Sequence, residues 1–292
     1  MGTRFLPATK ASPKEMMPLV DKPLIQYGVE EAVESGVDNI IIVTGRGKSA
    51  IEDHFDKSAE LENELESRGK EKELALVRAI SDLVHMAYVR QKEPLGLGHA
   101  VGVTSKIVGD EPFGVVLADD IIKAEVPCLK QLLNIYDYFG SAVIAVMEVP
   151  RDEISAYGVV DAKAVEFSGS TDRLFRINEM VEKPPADRAP SNLAIIGRYV
   201  LPPEIFDALD AIEPGRGGEL QLTDAIRKLM ETRPVYAYRF EGRRYDAGDK
   251  LGFLKATVEF ALERDDLGPG FREYLKSLAE IGREVMAETP SA

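Results

Sequence analysis

The sequence predicts an α/β fold, a three-layer arrangement in which helices cover both faces of a mainly parallel sheet. Three observations carry that prediction. Short apolar runs alternate with helical periodicities over the first half of the chain, the rhythm of successive βα units. Residues 39–44, Asn-Ile-Ile-Ile-Val-Thr, are apolar and β-branched almost throughout, as in a strand covered on both faces. Finally, 292 residues are enough to bury a sizeable core with no disulfide. The single cysteine, Cys128, excludes an intramolecular bridge and has core packing as its expected role.

The elements follow in chain order. Residues 23–35 read as a helix, with Pro23 at its first turn and Gly36 past its end. Ile51, Phe55, Leu61 and Leu65 predict one acidic amphipathic helix, and Leu76, Ile80, Leu83 and Val84 another. Residues 86–91, 114–118 and 142–147 read as strands, with a helix over 129–139. From Tyr157 onward strands dominate, at 159–160, 174–181, 195–201 and 235–240. Leu222, Ile226, Leu229 and Met230 give a helix between the last two, and Leu251, Leu254, Val258 and Leu262 give a later one. A polar helix from Phe271 onward is expected to pack at an interface.

Charge narrows the function. Lys plus Arg is 36 and Asp plus Glu is 50, a net charge of −14. A general nucleic-acid binder would carry a basic face, so that class is excluded, whereas an enzyme with a small positive pocket is not. No apolar run approaches the ~18 residues of a membrane span, and no signal peptide precedes the first charges. The expected location is the cytoplasm, with neither membrane nor nucleic acid as partner. Residues 52–73 hold nine carboxylates against four Lys and Arg, which reads as a solvated helical face.

Against this acidic background, residues 1–23 carry Arg4, Lys10, Lys14 and Lys22 but only Glu15 and Asp21. Prolines at 7, 13 and 18 predict a stiff, irregular loop with no helix through it. A stiff cationic loop beside an α/β sheet suits a polyphosphate; a solvated terminus would have the same composition. Two phosphate-loop patterns elsewhere fail. Thr44-Gly45-Arg46-Gly47-Lys48-Ser49 has Ile42 where a P-loop needs glycine, and Gly96-Leu97-Gly98 has Val101 where a dinucleotide fingerprint needs its third glycine.

The stretch Gly2-Thr3-Arg4, followed by Pro7 and by Pro13-Lys14, resembles the signature loop of the sugar-1-phosphate nucleotidyltransferases. The longer strings Pro-Ala-Thr-Lys-Ala-Ser-Pro-Lys-Glu-Met and Pro-Leu-Val-Asp-Lys-Pro-Leu-Ile-Gln-Tyr are similar to its uridylyl branch. Further matches in order are Gly96-Leu97-Gly98-His99-Ala100, Ala156-Tyr157-Gly158-Val159-Val160-Asp161, Val181-Glu182-Lys183-Pro184, residues 191–200 and residues 219–226. The resemblance implies a Rossmann-like, three-layer, mainly parallel sheet of the nucleotide-diphospho-sugar transferase type, with a smaller sugar-binding and oligomerisation part. It implies one domain over 1–292, in which 1–150 mainly bind nucleotide, 151–265 mainly bind sugar phosphate, and 266–292 form a C-terminal helix. It also implies a homo-oligomer, a dimer or tetramer. Family members carry a first strand and Ala-Ala-Gly-Leu ahead of Gly-Thr-Arg. The chain as given, starting at Met1, is therefore expected to lack that strand and half the phosphate loop, and to be a poor enzyme without them.

Carried residue by residue, the resemblance assigns Arg4, Lys14 and Lys183 to catalysis. It assigns Gly2, Thr3, Gln91 and Gly96 to the nucleotide, with Gln91 and the Gly96 turn under the uracil. A base edge is well matched by an amide, which both donates and accepts. It assigns Gly158, Glu182, Lys183 and, more weakly, Asn192 to the sugar phosphate. Asp119 and Asp246 would hold Mg²⁺, a hard cation that takes carboxylate and phosphate oxygens. Read from the residues alone, Leu117-Ala118-Asp119-Asp120 closes an apolar strand with two acids, Asp249 is placed to cap the helix after it, and Glu182–Lys183 could be a surface ion pair. His54, His85 and His99 show no metal spacing and receive no chemistry. The implied reaction is Mg²⁺-assisted attack of α-D-glucose 1-phosphate on UTP, giving UDP-glucose and pyrophosphate. The alternatives are a thymidylyltransferase using dTTP and a non-catalytic regulatory homologue.

Overall fold

The structure is a computed structural model that describes residues 3–167 and 172–288. The N-terminal loop is more regular than its prolines predict. It contains three short 3₁₀ turns, Thr3–Phe5, Ala8–Lys10 and Lys14–Met16, two of them following Pro7 and Pro13. A proline's fixed φ suits the residue just before such a turn, where no N–H is needed. The loop ends in a two-strand hairpin, β1 (Pro18–Leu19) and β2 (Lys22–Pro23).

Helix α1 (Leu24–Glu34) starts after Pro23 and stops before Gly36, which adopts φ 90°. Strand β3 (Asn39–Thr44) coincides with the β-branched run. The acidic segment after it is not one helix but two, α2 (Ser49–Phe55) and α3 (Ala59–Ser67). Ile51 and Phe55 are buried against Ile25, Val29 and Ile42, whereas Leu61 is exposed. Asp56 turns extended between them, so α3 need not continue the apolar stripe of α2. Helix α4 (Glu71–Ser81) ends before Leu83 and Val84, and it buries Leu74 rather than the exposed Leu76.

Strand β4 (His85–Arg90) pairs parallel with β3 along its whole length. There follow α5 (Leu97–Gly102), α6 (Ser105–Val108), β5 (Phe113–Val116), β6 (Asp120–Lys123), α7 (Cys128–Phe139) and β7 (Val143–Glu148). The second half contributes β8 (Gly158–Ala164), β9 (Leu174–Glu182), β10 (Leu193–Leu201), α8 (Ile205–Asp210), α9 (Leu222–Leu229), β11 (Tyr236–Arg239), β12 (Arg243–Asp246), α10 (Lys250–Glu263) and α11 (Gly268–Glu288).

The larger sheet has the order β5-β10-β7-β11-β9-β8. Along β7, Val143 and Ala145 join a core with α7, while Ile144 and Val146 join a core with α8 and α9. That alternation puts helices on both faces, the three layers the sequence predicts. Parallel ladders are β3·β4 and β7·β11. The pairs β8·β9, β7·β10, β5·β10 and β9·β11 are antiparallel. Among the described residues no α-helix lies between β8 and β10, and a direct return between neighbouring strands is antiparallel by geometry.

Besides the β1·β2 hairpin, two strands have no counterpart in the sequence reading. Polar β12 pairs antiparallel with four-residue β6, with Asp246 opposite Asp120. Beside them Leu19, Leu24, Ile121, Tyr245 and Ala256 form a small separate core. Helix α10 buries Ala256 and Ala261, and the expected stripe residues Leu251 and Leu254 are exposed.

Candidate active site

The acidic pair at 119 and 120 does not close a strand. β5 ends at Val116, and Leu117 to Asp119 turn into β6, which starts at Asp120. This turn separates the two carboxylates. Asp119 meets Lys14, with Nζ 2.5 Å from Oδ2. Asp120 turns inward, where its carboxylate accepts the Gly197 N–H at 2.9 Å and pairs with Arg244 at 2.5 Å. Asp119, the acid preferred from the sequence, is the more exposed of the two, and Asp120 is buried.

Asp246, at the end of β12, lies on the same spot as Asp119. A Cβ at Gly248 would sit 2.9 Å from Asp119 Oδ2 and 3.1 Å from Asp246 Oδ1, so two carboxylates 127 positions apart converge on one glycine backbone. Arg4 donates to the Gly248 carbonyl at 3.4 Å. Arg4, Lys14, Asp119 and Asp246 therefore meet around Gly248. Thr3 lies exposed in the first turn beside Arg4, and Gly2 lies outside the described residues. Asp249 caps α10, accepting from the N–H groups of Leu251 and Gly252 at 2.8 and 3.1 Å.

Burial pushes the Asp119 carboxyl up. The charge and hydrogen bond of Lys14, with help from Arg244, outweigh that effect, and Asp119 sits below its ordinary value. It is thus an anion at neutral pH. Two oxygen-bearing anions over a bare glycine suit a hard divalent cation. Among the described residues no group of three or more His, Cys, Asp or Glu assembles into a metal cage. The remaining coordination positions would fall to phosphate oxygens and water, as with magnesium at polyphosphates.

A second cluster forms where β8 pairs with β9. Gly158 lies opposite Glu182, and a Cβ at 158 would stand 3.2 Å from Glu182 Oε2. Thr223 Oγ1, in the first turn of α9, donates to that oxygen at 3.0 Å. Lys183 follows with φ 45°, a left-handed backbone uncommon outside glycine, and its N–H donates to the Tyr157 carbonyl at 3.1 Å. Asn192 is exposed one residue before β10, whose Ala194 pairs with Val159. The two clusters are joined by Arg244, which reaches Asp246 at 3.1 Å and the Tyr157 hydroxyl at 3.0 Å.

The third group is the turn after β4. Gln91 Nε2 donates to the Gly96 carbonyl at 3.1 Å and lies 2.9 Å from His99 Nδ1. Gly96 has φ 99°, and a Cβ there would come within 2.6 Å of the Leu220 carbonyl. That carbonyl accepts the Gly98 N–H at 2.8 Å, and the Leu220 N–H returns to Leu95 at 2.8 Å. The glycines are thus required by residues 219–220, three positions before Thr223, which ties this turn to the second cluster.

Several site residues escaped the sequence reading. Arg244 is two positions before Asp246 in an extended strand, so both point to one face; that spacing was a usable signal. Arg198 is fully buried in β10. It pairs with Glu31 at 2.8 Å and donates to the carbonyls of Leu117, Gly197 and Asp120 at 3.1, 2.9 and 2.7 Å. An arginine inside the run Ile-Gly-Arg-Tyr-Val was the available clue. Thr223 and Tyr157 carried no signal beyond their motifs.

The profile of the family described as nucleotidyl transferase matches residues 1–262. The UTP–glucose-1-phosphate uridylyltransferase of Bacillus subtilis (strain 168) is 54% identical over 285 residues, 96% of each chain. The UTP-bound UGPase from Acinetobacter baumannii superposes with a TM-score of 0.86 at 41% identity, over 95% of both chains. A UDP-glucose pyrophosphorylase complexed with UDP-glucose gives 0.81 at 43% identity, covering 90% of this chain and 96% of that one.

Proposed function

The chain belongs to the nucleotidyl transferase family, and we propose that it transfers the uridylyl group of UTP to α-D-glucose 1-phosphate, forming UDP-glucose and pyrophosphate. The observation that carries this reading is the meeting of Lys14 and Asp119 at 2.5 Å, beside Arg4 and Asp246. It joins the cationic signature loop to two carboxylates suited to a metal. The relatives with UTP and UDP-glucose bound support the choice of substrates.

A sugar-phosphate oxygen attacks the α-phosphorus of UTP. As that bond forms, the bond from the α-phosphorus to the bridging oxygen breaks, and pyrophosphate leaves with the electron pair. The nucleophile is already ionised, so no strong base is needed. The obstacle is repulsion, about 4 kcal/mol for one unit-charge pair at 4 Å and an effective dielectric constant of 20. Arg4 and Lys14 place positive charge at the polyphosphate, and Lys183 places it at the incoming phosphate. Mg²⁺ held by Asp119 and Asp246 would supply further neutralisation of phosphate charge. Thr3 and Gly2 serve the nucleotide in this reading, and Gln91 and Gly96 take its uracil. Glu182, Gly158 and Asn192 take the sugar, with Gly158 letting it approach the backbone. Arg244 holds Asp246 and Tyr157 in register between the two halves of the site.

We further propose that the protein works in the cytoplasm as a homo-oligomer, a dimer or tetramer. Leu251 and Leu254 on α10 and Tyr274 and Leu278 on α11 are exposed apolar side chains that a second copy would cover. Among the described residues no helix is long and apolar enough to cross a membrane.

The test offers UTP, dTTP, CTP and ATP separately with glucose 1-phosphate and Mg²⁺. Equimolar UDP-glucose and pyrophosphate, with UTP preferred, is the expected result. A preference for dTTP would make the protein a thymidylyltransferase, and no turnover with any of the four would make it a non-catalytic homologue.

A further inference from the structure

The side chain of Gln91 is held in one orientation, and the holder is a residue to which the sequence reading gave no chemistry. The Gly96 carbonyl can only accept a hydrogen bond, so the amide end 3.1 Å from it is the nitrogen. His99 Nδ1 lies 2.9 Å from that same nitrogen. It must accept there, which places the neutral ring's proton on Nε2. Both N–H bonds of the Gln91 amide are then engaged within the chain. Among the described residues its carbonyl oxygen accepts nothing, so Oε1 is the one polar atom of the amide left for a ligand.

We infer that His99 is a positioning residue for pyrimidine choice: by accepting the second Gln91 N–H, it makes Gln91 an acceptor only toward the base. The inference rests on the reading that Gln91 faces the base. Uracil carries an N3–H that an acceptor satisfies, whereas cytosine carries a lone pair at N3 and needs a donor. With His99 in place, turning the amide over to offer cytosine N3 an N–H gives up two internal hydrogen bonds, and without His99 it gives up only the one to Gly96. His99 therefore acts by removing a donor from the site, so that the wrong base meets an unmatched lone pair. Its half-buried place in α5 keeps the ring against Gln91. The turn cannot drift, because Gly98 is bonded to Leu220 and Gly96 has no room for a side chain.

The experiment compares His99→Phe, which keeps a ring without an acceptor, with His99→Asn, whose Oδ1 can stand in for Nδ1. Gln91→Leu is the control for the base-site reading. Each is assayed for kcat and KM with UTP and with CTP, and for UTP and CTP affinity by calorimetry. His99→Phe is expected to lower the UTP-over-CTP preference in kcat/KM by roughly tenfold, the scale of one uncompensated hydrogen bond. The change should appear mainly in KM and binding, with kcat for UTP close to that of the parent, and His99→Asn should restore most of the preference. A Gln91→Leu enzyme that loses its preference while His99→Phe keeps it would overturn the inference alone. Equal losses in His99→Phe and His99→Asn would reduce His99 to packing and overturn it too. A Gln91→Leu enzyme with unchanged preference would overturn the base-site reading, and the inference with it. Should His99→Phe fail to fold, His99→Leu carries the same comparison.

Discussion

Two glutamate–cation pairs in this chain have the same charges and opposite surroundings. In Glu31–Arg198 the side chains are 8% and 1% exposed, while in Glu182–Lys183 they are 32% and 59% exposed. Around Arg198 the guanidinium donates to both Glu31 oxygens and to three backbone carbonyls. Glu31 also accepts the Leu129 N–H at the start of α7, at 3.0 Å. Burial opposes the charge on Arg198, yet Glu31 holds its pKa above the ordinary value. This pair has no capacity left for a ligand. It ties the turn carrying Asp119 to β10, α1 and α7. The other pair is open at 3.3 Å, with Lys183 on a left-handed backbone and both side chains exposed in part. It can exchange its internal contact for a substrate at little cost. Saturation with internal partners marks the supporting pair, and incomplete satisfaction marks the one offered to chemistry.

The largest expected effect of breaking this contrast is at the buried pair. Arg198→Met leaves Glu31 charged and buried without its cation, a change that typically costs about 3–5 kcal/mol. Thermal unfolding should show a large drop in Tm. Adding Glu31→Leu should recover most of that drop, because an apolar pair of similar volume often replaces a buried ion pair without loss. Turnover should stay low in the double variant, since the Leu117, Gly197 and Asp120 carbonyls still lack their donor and Asp119 loses its fixed turn. Recovery of both stability and turnover would show that Arg198 serves packing alone.

Asp119→Asn comes next. It keeps the shape of the turn and removes the charge between Lys14 and Gly248. Turnover should fall by about 100-fold or more, the scale of losing a charge-stabilising group, with the melting temperature little changed. Near-normal turnover in saturating Mg²⁺ would take Asp119 out of the site.

The same contrast explains what the sequence made legible. The strings that carry the family resemblance are local, so Arg4, Lys14, Asp119, Asp246, Glu182 and Lys183 could be named through it, and the structure gathers them into neighbouring clusters. Strands such as β3 and β10 were readable because a wholly apolar run allows few alternatives. Internal saturation was not readable, because it depends on partners far apart in the chain. Glu31 and Arg198 are 167 positions apart, and neither residue's neighbours announce the other. The ribbon β6·β12 was missed for a related reason. Its four-residue strands include Arg243, Arg244 and Lys123, and only the pairing makes them strands. The split of the acidic helix at Asp56 came from tertiary packing, since Ile51 and Phe55 reach the core and Leu61 does not.

At the open pair the effects should be smaller and confined to one substrate. Lys183→Ala should raise KM for glucose 1-phosphate by roughly tenfold or more, on the scale of a hydrogen bond to a charged group, while UTP affinity changes little. Glu182→Gln, which keeps shape and loses charge, should weaken sugar recognition less than that. Steady-state kinetics with each substrate varied in turn would check both. A Lys183→Ala enzyme with parent kinetics for the sugar phosphate would leave the two residues as an ordinary surface ion pair.

The finest test reaches Glu182 through its one outside partner. Thr223 Oγ1 donates to Glu182 Oε2 at 3.0 Å, while the other carboxylate oxygen meets only the exposed Lys183 ammonium among the described residues. Thr223→Val removes the hydroxyl and keeps the volume, so the packing of α9 against β9 should survive. A single neutral donor to a partly exposed carboxylate contributes about 0.5–1.5 kcal/mol, and water replaces part of that. The expected outcome is a rise of roughly twofold to tenfold in KM for glucose 1-phosphate, with KM for UTP and Tm unchanged. The direction matters more than the size. If Glu182 is dedicated to the sugar, loosening it must spare the nucleotide, whose proposed contacts are at Gln91 and Gly96. An equal rise in KM for UTP would mean that residues 219–223 couple the two halves of the site through the Leu220 carbonyl, and that the open pair is less independent of the scaffold than its exposure indicates.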